Sequence, residues 1–544
     1  MAAKTPYNAE TLPHLRPFRE WTLEIEKRPG ESRHEVTHRI DGSGLECRTM
    51  DGGTREFVVQ RPFDEFKVAE ITADGTVTAF GCAGGLVPVF ADAKATTLRL
   101  SNVASRLFSG GKIQIGFESF AQQLHGVNYP NDELFPEIKM LLASVGYSWT
   151  GQDLLPSRNL VATSRTYTVE HAIQLIETRF EAIARTGRPL LVLVSGGYDS
   201  RLNLAMALRC RKVFGNEIHL FHEFKNQSEF EIAAAVAAAA GLPLHTKTRN
   251  DFVPAIRPVF LHPGIVESNS GTYRDNLVRW SLYFDWIQRQ FPTGILIGFG
   301  AEAHKGKFYR QVLDPVRDAR RVFQLDPLVI QSIGQSLGVR DWNRHSQDAL
   351  FDRLLGLAGQ IRSPSGQVDF VHYQTYVAYG YGRRGFFCQE QFSIPMPMLD
   401  NEFLQVVFSL AREEKEGFRV VKEAIRKFAP ELDAVPYTSA NAKSLEEKKS
   451  DPARWLRRGA IKLFGNRAYS LGATFSREGR TQLTPTERDY VSSISPRSEI
   501  TARLVHALRA PDRDVPKLRT EYAMQMLVYL ATLEARHKVE FVVV

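Results

Sequence analysis

The chain has 544 residues, 43% of them hydrophobic and 24% charged, with a net charge of +8 from 69 basic and 61 acidic side chains. This is the composition of an ordinary globular protein, and the length predicts two or more domains. The mild positive balance suits a phosphorylated or acidic small partner but offers no local patch for nucleic acid, and no window approaches the roughly 20 apolar residues that cross a bilayer.

Cys47, Cys82, Cys210 and Cys388 lie too far apart for a zinc or redox pair. They predict free thiols in a reducing cytoplasm. The polar start of the chain has no secretory pattern.

Residues 1–159 read as one β-rich domain. Phe66 to Phe80 alternates loosely about Asp74-Gly75, a hairpin turn signal. A second pair of extended runs surrounds Gly84 to Ala91, and 117–124 is helix-like. Gly151 to Asn159, with Pro156 and Ser157, reads as a linker.

From residue 160 the period changes. Thr168 caps a predicted helix to about Ala184, with Val169, Ala172, Ile173, Ile176, Phe180 and Ile183 on one face. A short apolar strand, Leu191 to Val194, breaks at two glycines and resumes as a helix from Leu202. A second strand, Glu217 to Phe224, precedes an alanine-rich helix from Glu229 to Ala240 that closes at Gly241. Thr293 to Gly298 is a third strand breaking at glycine. Strands alternating with helices predict a doubly wound parallel sheet with its ligand site at the carboxyl ends of the strands, where the Gly197 and Gly298 turns would both sit. Beyond residue 310 the pattern is helical, near 312–325, 343–359, 402–413, 417–428 and 517–537. Phe541 to Val544 reads as a docked strand.

The most informative stretch is Ser195-Gly196-Gly197-Tyr198-Asp199-Ser200. A strand, a Gly-rich turn and a helix start aim backbone N–H groups and a helix dipole at one point, which favours an anion, usually phosphate. Glycine lets the backbone approach it without a Cβ in the way. Ser195 and Ser200 can add hydroxyl donors, and Asp199 can hold Mg²⁺. The Gly-Lys-Ser/Thr ending of the Walker loop is missing.

This hexapeptide resembles the PP-loop of ATP pyrophosphatases, which release pyrophosphate and leave an adenylate on the substrate. With further segments it resembles the asparagine synthetase family. Gly298-Phe299-Gly300-Ala301-Glu302-Ala303 is similar to that family's Gly-Glu-Gly-Ser/Ala-Asp-Glu loop, and Pro395 to Asp400 to its Val-Pro-Phe-Leu-Asp segment. Lys443 lies near where the family keeps a pyrophosphate lysine, with Lys448 and Lys449 as competitors. Arg383, Arg384 and Gln389 precede Pro395 to Asp400 as polar residues do in the family, and the resemblance implies a place for them along the substrate cleft. Gly84 to Ala91 and Asn131 to Ile138 resemble its glutamine-amidohydrolase domain.

The resemblance implies an N-terminal glutaminase-like (Ntn-type) β-rich sandwich at 1–159, and an ATP-binding synthetase domain with a helical C-terminal part at 160–544. It implies that Ser195, Gly196, Gly197, Asp199, Ser200, Gly298 and Gly300 bind ATP, that Asp199 and Glu302 hold Mg²⁺, and that Lys443 and Glu302 serve catalysis. The departures matter too. Residue 2, the family's nucleophilic cysteine, is Ala2, so no glutaminyl thioester can form. The branches without this cysteine include β-lactam synthetases and some lasso-peptide cyclases, which use an amine on the substrate itself. The family carboxylate that assists amine attack falls on Phe299, and Ala303 replaces another. His304 and Lys305 are neighbouring alternatives for acid–base work.

The expected activity is ATP-dependent adenylation of a carboxylate and amide formation with an amine, on a small-molecule or peptide substrate. The alternatives are adenylation for nucleobase thiolation, disfavoured by the lack of a cysteine pair, and an ATP-binding pseudoenzyme, favoured by Phe299 and Ala303.

Overall fold

The computed structural model describes residues 19–28, 35–60, 65–85, 87–108, 112–117, 119–121, 134–151, 153–224, 226–248, 276–297, 345–382, 392, 394–437, 489, 491–509 and 520–542. It begins with antiparallel strands: β1 (Trp21–Arg28), β2 (Glu35–Gly42), β3 (Leu45–Thr49), β4 (Arg55–Gln60), β5 (Glu65–Ile71), β6 (Val77–Phe80), β7 (Phe90–Ala93) and β8 (Thr97–Ser101). After β9 (Lys112–Gly116) come β10 (Lys139–Met140), β11 (Val145–Trp149) and β12 (Leu154–Asn159). They form a five-stranded sheet, β10-β7-β8-β1-β2, and a six-stranded one, β12-β11-β6-β5-β4-β3. Alternation sets which face is inside: Trp21, Leu23 and Ile25 are buried, while Thr22, Glu24 and Glu26 between them are partly exposed.

The expected hairpin joins β5 to β6. Gly75 has φ +82°, and Asp74 accepts a hydrogen bond from the Thr76 N–H at 3.0 Å. The expected linker at 151–159 is instead mostly β12, paired antiparallel with β11. Leu154 and Asn159 are buried there, and Pro156 is tolerated because β12 is an edge strand that shifts register next to it.

Helix α1 (Val169–Ala184) follows, capped by Thr168, with the six predicted apolar residues all buried. Next come β13 (Leu190–Leu193), α2 (Tyr198–Phe214), β14 (Ile218–Phe224), α3 (Gln227–Ala239), β15 (Leu244–Thr248), α4 (Asn276–Gln290) and β16 (Ile295–Ile297). These strands make a parallel sheet in the order β15-β14-β13-β16. Leu190, Leu191 and Val192 are fully buried, as a strand covered on both faces requires. The chain is therefore mixed α/β, with antiparallel sheets first and a parallel sheet with helices after them.

The helical remainder comprises α5 (His345–Ala358), α6 (Pro364–His372), a π-helical stretch Tyr373–Gly382, α7 (Asn401–Ser409), α8 (Arg412–Lys415), α9 (Arg419–Phe428), α10 (Pro430–Asp433), α11 (Glu499–Arg509) and α12 (Thr520–Glu534). The last strand, β17 (Lys538–Val542), pairs in parallel with β9, so Phe541 and Val542 do sit in a docked strand. The expected helix at 312–325 lies outside the described residues.

The antiparallel and helical parts are joined by buried polar contacts. The Tyr373 hydroxyl accepts from the Gly84 N–H at 2.6 Å and lies 2.9 Å from Ser144 Oγ, with both Tyr373 and Ser144 fully buried. Burial first of all raises the Tyr373 phenol far above its ordinary pKa, so it stays neutral. Gln374 Nε2 donates to the Ala143 carbonyl at 2.6 Å, and Asn159 Nδ2 to the Leu357 carbonyl at 3.1 Å. Tyr373→Phe strands one buried N–H and one buried hydroxyl, so it should cost about 1–3 kcal/mol. The check is the midpoint of the first urea transition, which should fall.

Candidate functional site

β13 is an inner strand of the parallel sheet, and its end is pinned by its neighbour. The Val194 N–H donates to the Phe221 carbonyl at 2.8 Å, and Nδ1 of the buried His222 lies 3.0 Å from the Val194 carbonyl. The chain then turns into α2 through a web of short contacts. The Ser195 N–H donates to Ser200 Oγ at 3.1 Å, the Gly197 N–H to Ser195 Oγ at 3.2 Å, and the two hydroxyls lie 3.0 Å apart. Ser200 Oγ donates in turn to the Ser195 carbonyl at 2.9 Å or the Gly197 carbonyl at 3.1 Å. Both serines therefore brace the turn, where the sequence suggested donors aimed outward.

α2 starts at Tyr198, four residues before the predicted Leu202. Ser200 makes the difference: its hydroxyl closes the turn and leaves Asp199, Ser200 and Arg201 free to be helical. Gly197 is the N-cap and brings no side chain to the first-turn N–H groups. Gly197 serves no obvious need of the backbone: its φ is −88°, and a Cβ there would meet only Ser195 Oγ, at 3.4 Å. That is ordinary contact.

Behind the turn lies a cluster that the sequence did not reveal. Arg201, fully buried in the first turn of α2, donates Nη1 to the Leu432 carbonyl at 3.0 Å and to the Val435 carbonyl at 2.5 Å, and Nη2 to the Pro436 carbonyl. Its guanidinium lies 3.7 Å from the centroid of the Tyr437 ring. Tyr437 stacks on Tyr198 at 3.9 Å, and Tyr198 on Phe418 at 4.6 Å. The Tyr437 hydroxyl donates to Asp433 at 3.0 Å, which also pairs with Arg426 at 2.7 Å. Burial lowers the Arg201 pKa and raises that of Tyr437, the latter also through its bond to Asp433. At Asp433 burial acts to raise the carboxyl, but the Arg426 and Tyr437 bonds outweigh it and hold it low. Phe418 follows Gly417, and both have positive φ (+62° and +68°), a turn that places the Phe418 ring on Tyr198. An arginine and a tyrosine amid apolar residues left no periodic signal that would have marked them.

Of the sequence-predicted residues, the structure gathers Ser195, Gly196, Gly197, Asp199 and Ser200 in this turn at the carboxyl edge of the sheet. β16 ends at Ile297, level with Val192 of β13, so the chain leaves toward Gly298 at that same edge. Gly298, Phe299, Gly300, Glu302, Ala303, His304 and Lys305 lie outside the described residues, as do Arg383, Arg384, Gln389, Lys443, Lys448 and Lys449. Asp400 has a structural task. It N-caps α7 by accepting from the Phe403 N–H at 2.9 Å and is paired with Arg179 at 3.1 Å, while Met396, Met398 and Leu399 before it are buried.

Among the described residues no group of three or more His, Cys, Asp and Glu side chains could hold a metal ion, and no helix is long and apolar enough to cross a membrane. No protein-family model matches the chain, and no curated protein matches it.

Two substitutions separate bracing from access. Ser200→Ala removes the hub of the turn and should lower stability by about 1–3 kcal/mol. Gly197→Ala, at φ −88° and with only that ordinary contact, should cost under about 1 kcal/mol, mostly through the poorer N-cap. Thermal melts of the two variants measure the difference.

Proposed function

We propose that the chain is an ATP-dependent ligase that joins a carboxylate to an amine with release of AMP and pyrophosphate. One observation carries this reading. A serine-braced Ser195–Ser200 turn at the carboxyl edge of a parallel sheet ends on Gly197, a glycine the backbone does not require, which is what close approach of a phosphate chain demands. The PP-loop resemblance and the asparagine-synthetase-like order of segments support the same conclusion.

In this reading Gly196, Gly197 and the first-turn N–H groups of α2 receive the phosphates, and Ser195 and Ser200 hold the turn in shape. Asp199, half-buried in that first turn, offers hard carboxylate oxygens beside the anion site, the chemistry Mg²⁺ takes, and Glu302 is its proposed companion. The ion, when bound, neutralises phosphate charge. Gly298 and Gly300 would border the nucleotide, and Lys443 would meet the leaving pyrophosphate with a fixed positive charge. What the protein contributes is mainly positioning and charge stabilisation. The antiparallel part is proposed as an Ntn-type, glutaminase-like domain that has lost its thiol at Ala2. The amine then comes with the substrate, and its nearest analogues are β-lactam and lasso-peptide formation.

The test is incubation of the full chain with MgATP, hydroxylamine as a general amine, and a panel of amino acids, dicarboxylates and short peptides, with AMP and pyrophosphate measured. Product formation that falls at least about a hundredfold in Asp199→Asn is expected, as for loss of a metal-holding carboxylate. ADP and phosphate as the only products would overturn it. Tight MgATP binding with no AMP across the panel would favour the second reading, the pseudoenzyme suggested by Phe299 and Ala303.

A further inference from the structure

Arg201 stands one residue past the Ser195–Ser200 motif, and no part of the proposed reaction uses it. Its direct partners among the described residues are three carbonyls, of Leu432, Val435 and Pro436, and the face of Tyr437, while the Asp433 carboxylate acts on it from a distance, through space. Carbonyl dipoles and a π face solvate a buried cation incompletely, and Nε is a buried donor with no hydrogen-bond partner. A positive charge that Asp433 offsets only from across Tyr437 is thus buried within the first turn of the helix whose start faces the proposed anion site. A low-dielectric path makes that charge felt over a helical turn.

The same side chain fastens a strap. In residues 430–437 the Leu432, Val435 and Pro436 carbonyls meet the guanidinium, Tyr437 stacks on Tyr198 of the motif, and Asp433 is clamped by Tyr437 and Arg426.

We propose that Arg201 is a positioning residue that couples phosphate arriving at the Ser195–Ser200 turn to seating of the 430–437 strap. The inference rests on the nucleotide reading above. An anion at the turn compensates the buried guanidinium, so the state with Arg201 fully engaged on the strap is favoured. By linkage, a seated strap raises affinity for the anion.

The probes are MgATP and inorganic pyrophosphate, titrated calorimetrically into the full chain, with hydrogen exchange followed in residues 430–437. In the wild type, saturating probe should slow strap exchange by at least about fivefold, the low end of ordinary coupling. Arg201→Met should bind about tenfold more weakly and lose that protection. Arg201→Lys and Tyr437→Leu keep a charge but break the fork or the stack. They should stay within about threefold of wild-type affinity yet lose the protection, a split that a merely structural role would not produce. These two also carry the test if Arg201→Met fails to fold. Unchanged strap exchange in the saturated wild type, or unchanged affinity and protection in the variants, would overturn the coupling alone. A wild type that binds neither probe would instead overturn the nucleotide reading, and the coupling with it.

Discussion

A helix that begins on glycine has N–H groups its own chain cannot satisfy. At Gly197 that debt is concentrated at the carboxyl edge of a parallel sheet, where strand ends, turn and helix start converge. The chain could have met it locally with a serine or aspartate at the cap, as Asn226 does at the start of α3 and Asp400 at the start of α7. Instead the hydroxyls of Ser195 and Ser200 are turned inward to stiffen the turn. A rigid turn with outward donors costs stability in the empty protein. It repays that cost when an anion binds, because little reorganisation is then needed.

The elements nearest this site were the most legible in the sequence, and the reason is physical. Buried parallel strands are short continuous apolar runs, and the glycines that end them punctuate the pattern, so β13, β14 and β16 fell within a residue or two of expectation. α1 was equally plain because a 3.6-residue period holds from Val169 to Ile183. β12 was missed because Pro156 and Gly151 mimic a linker, and only the partner strand β11 reveals that an edge position excuses the proline. The start of α2 was placed late because Gly-Gly conceals a helix whose first turn is polar. Arg201, Tyr437 and Phe418 left no trace, since they meet through contacts 200 and more residues apart in the chain. The Gly298 to Ala303 loop and Lys443, which the sequence did single out, remain matters of sequence alone.

Retention of the antiparallel part also has a physical explanation that needs no activity. Its Gly84 N–H and Ser144 hydroxyl are satisfied by Tyr373, at the start of the π-helical stretch, and its β9 by β17 at the far end of the chain. Taking this part away would expose buried polar groups at the first contact and open a strand edge at the second. A part tied in at two places so distant in sequence is needed for the fold whatever its own chemistry. Removing it would unmake the other half.

Both features belong to α2. Its N-cap, Gly197, brings no side chain to the first N–H groups. Its first turn carries a guanidinium bonded directly to carbonyl oxygens and an aromatic face, with Asp433 acting on it only from across Tyr437. If stability alone were at stake, an apolar side chain would pack the same space without the desolvation cost, as buried charges commonly show when replaced. A buried arginine that solvates itself on the strap is worth keeping if its charge does something for the turn in front of it. In the proposed reading, that shared helix turn makes the strap and the phosphate site one device.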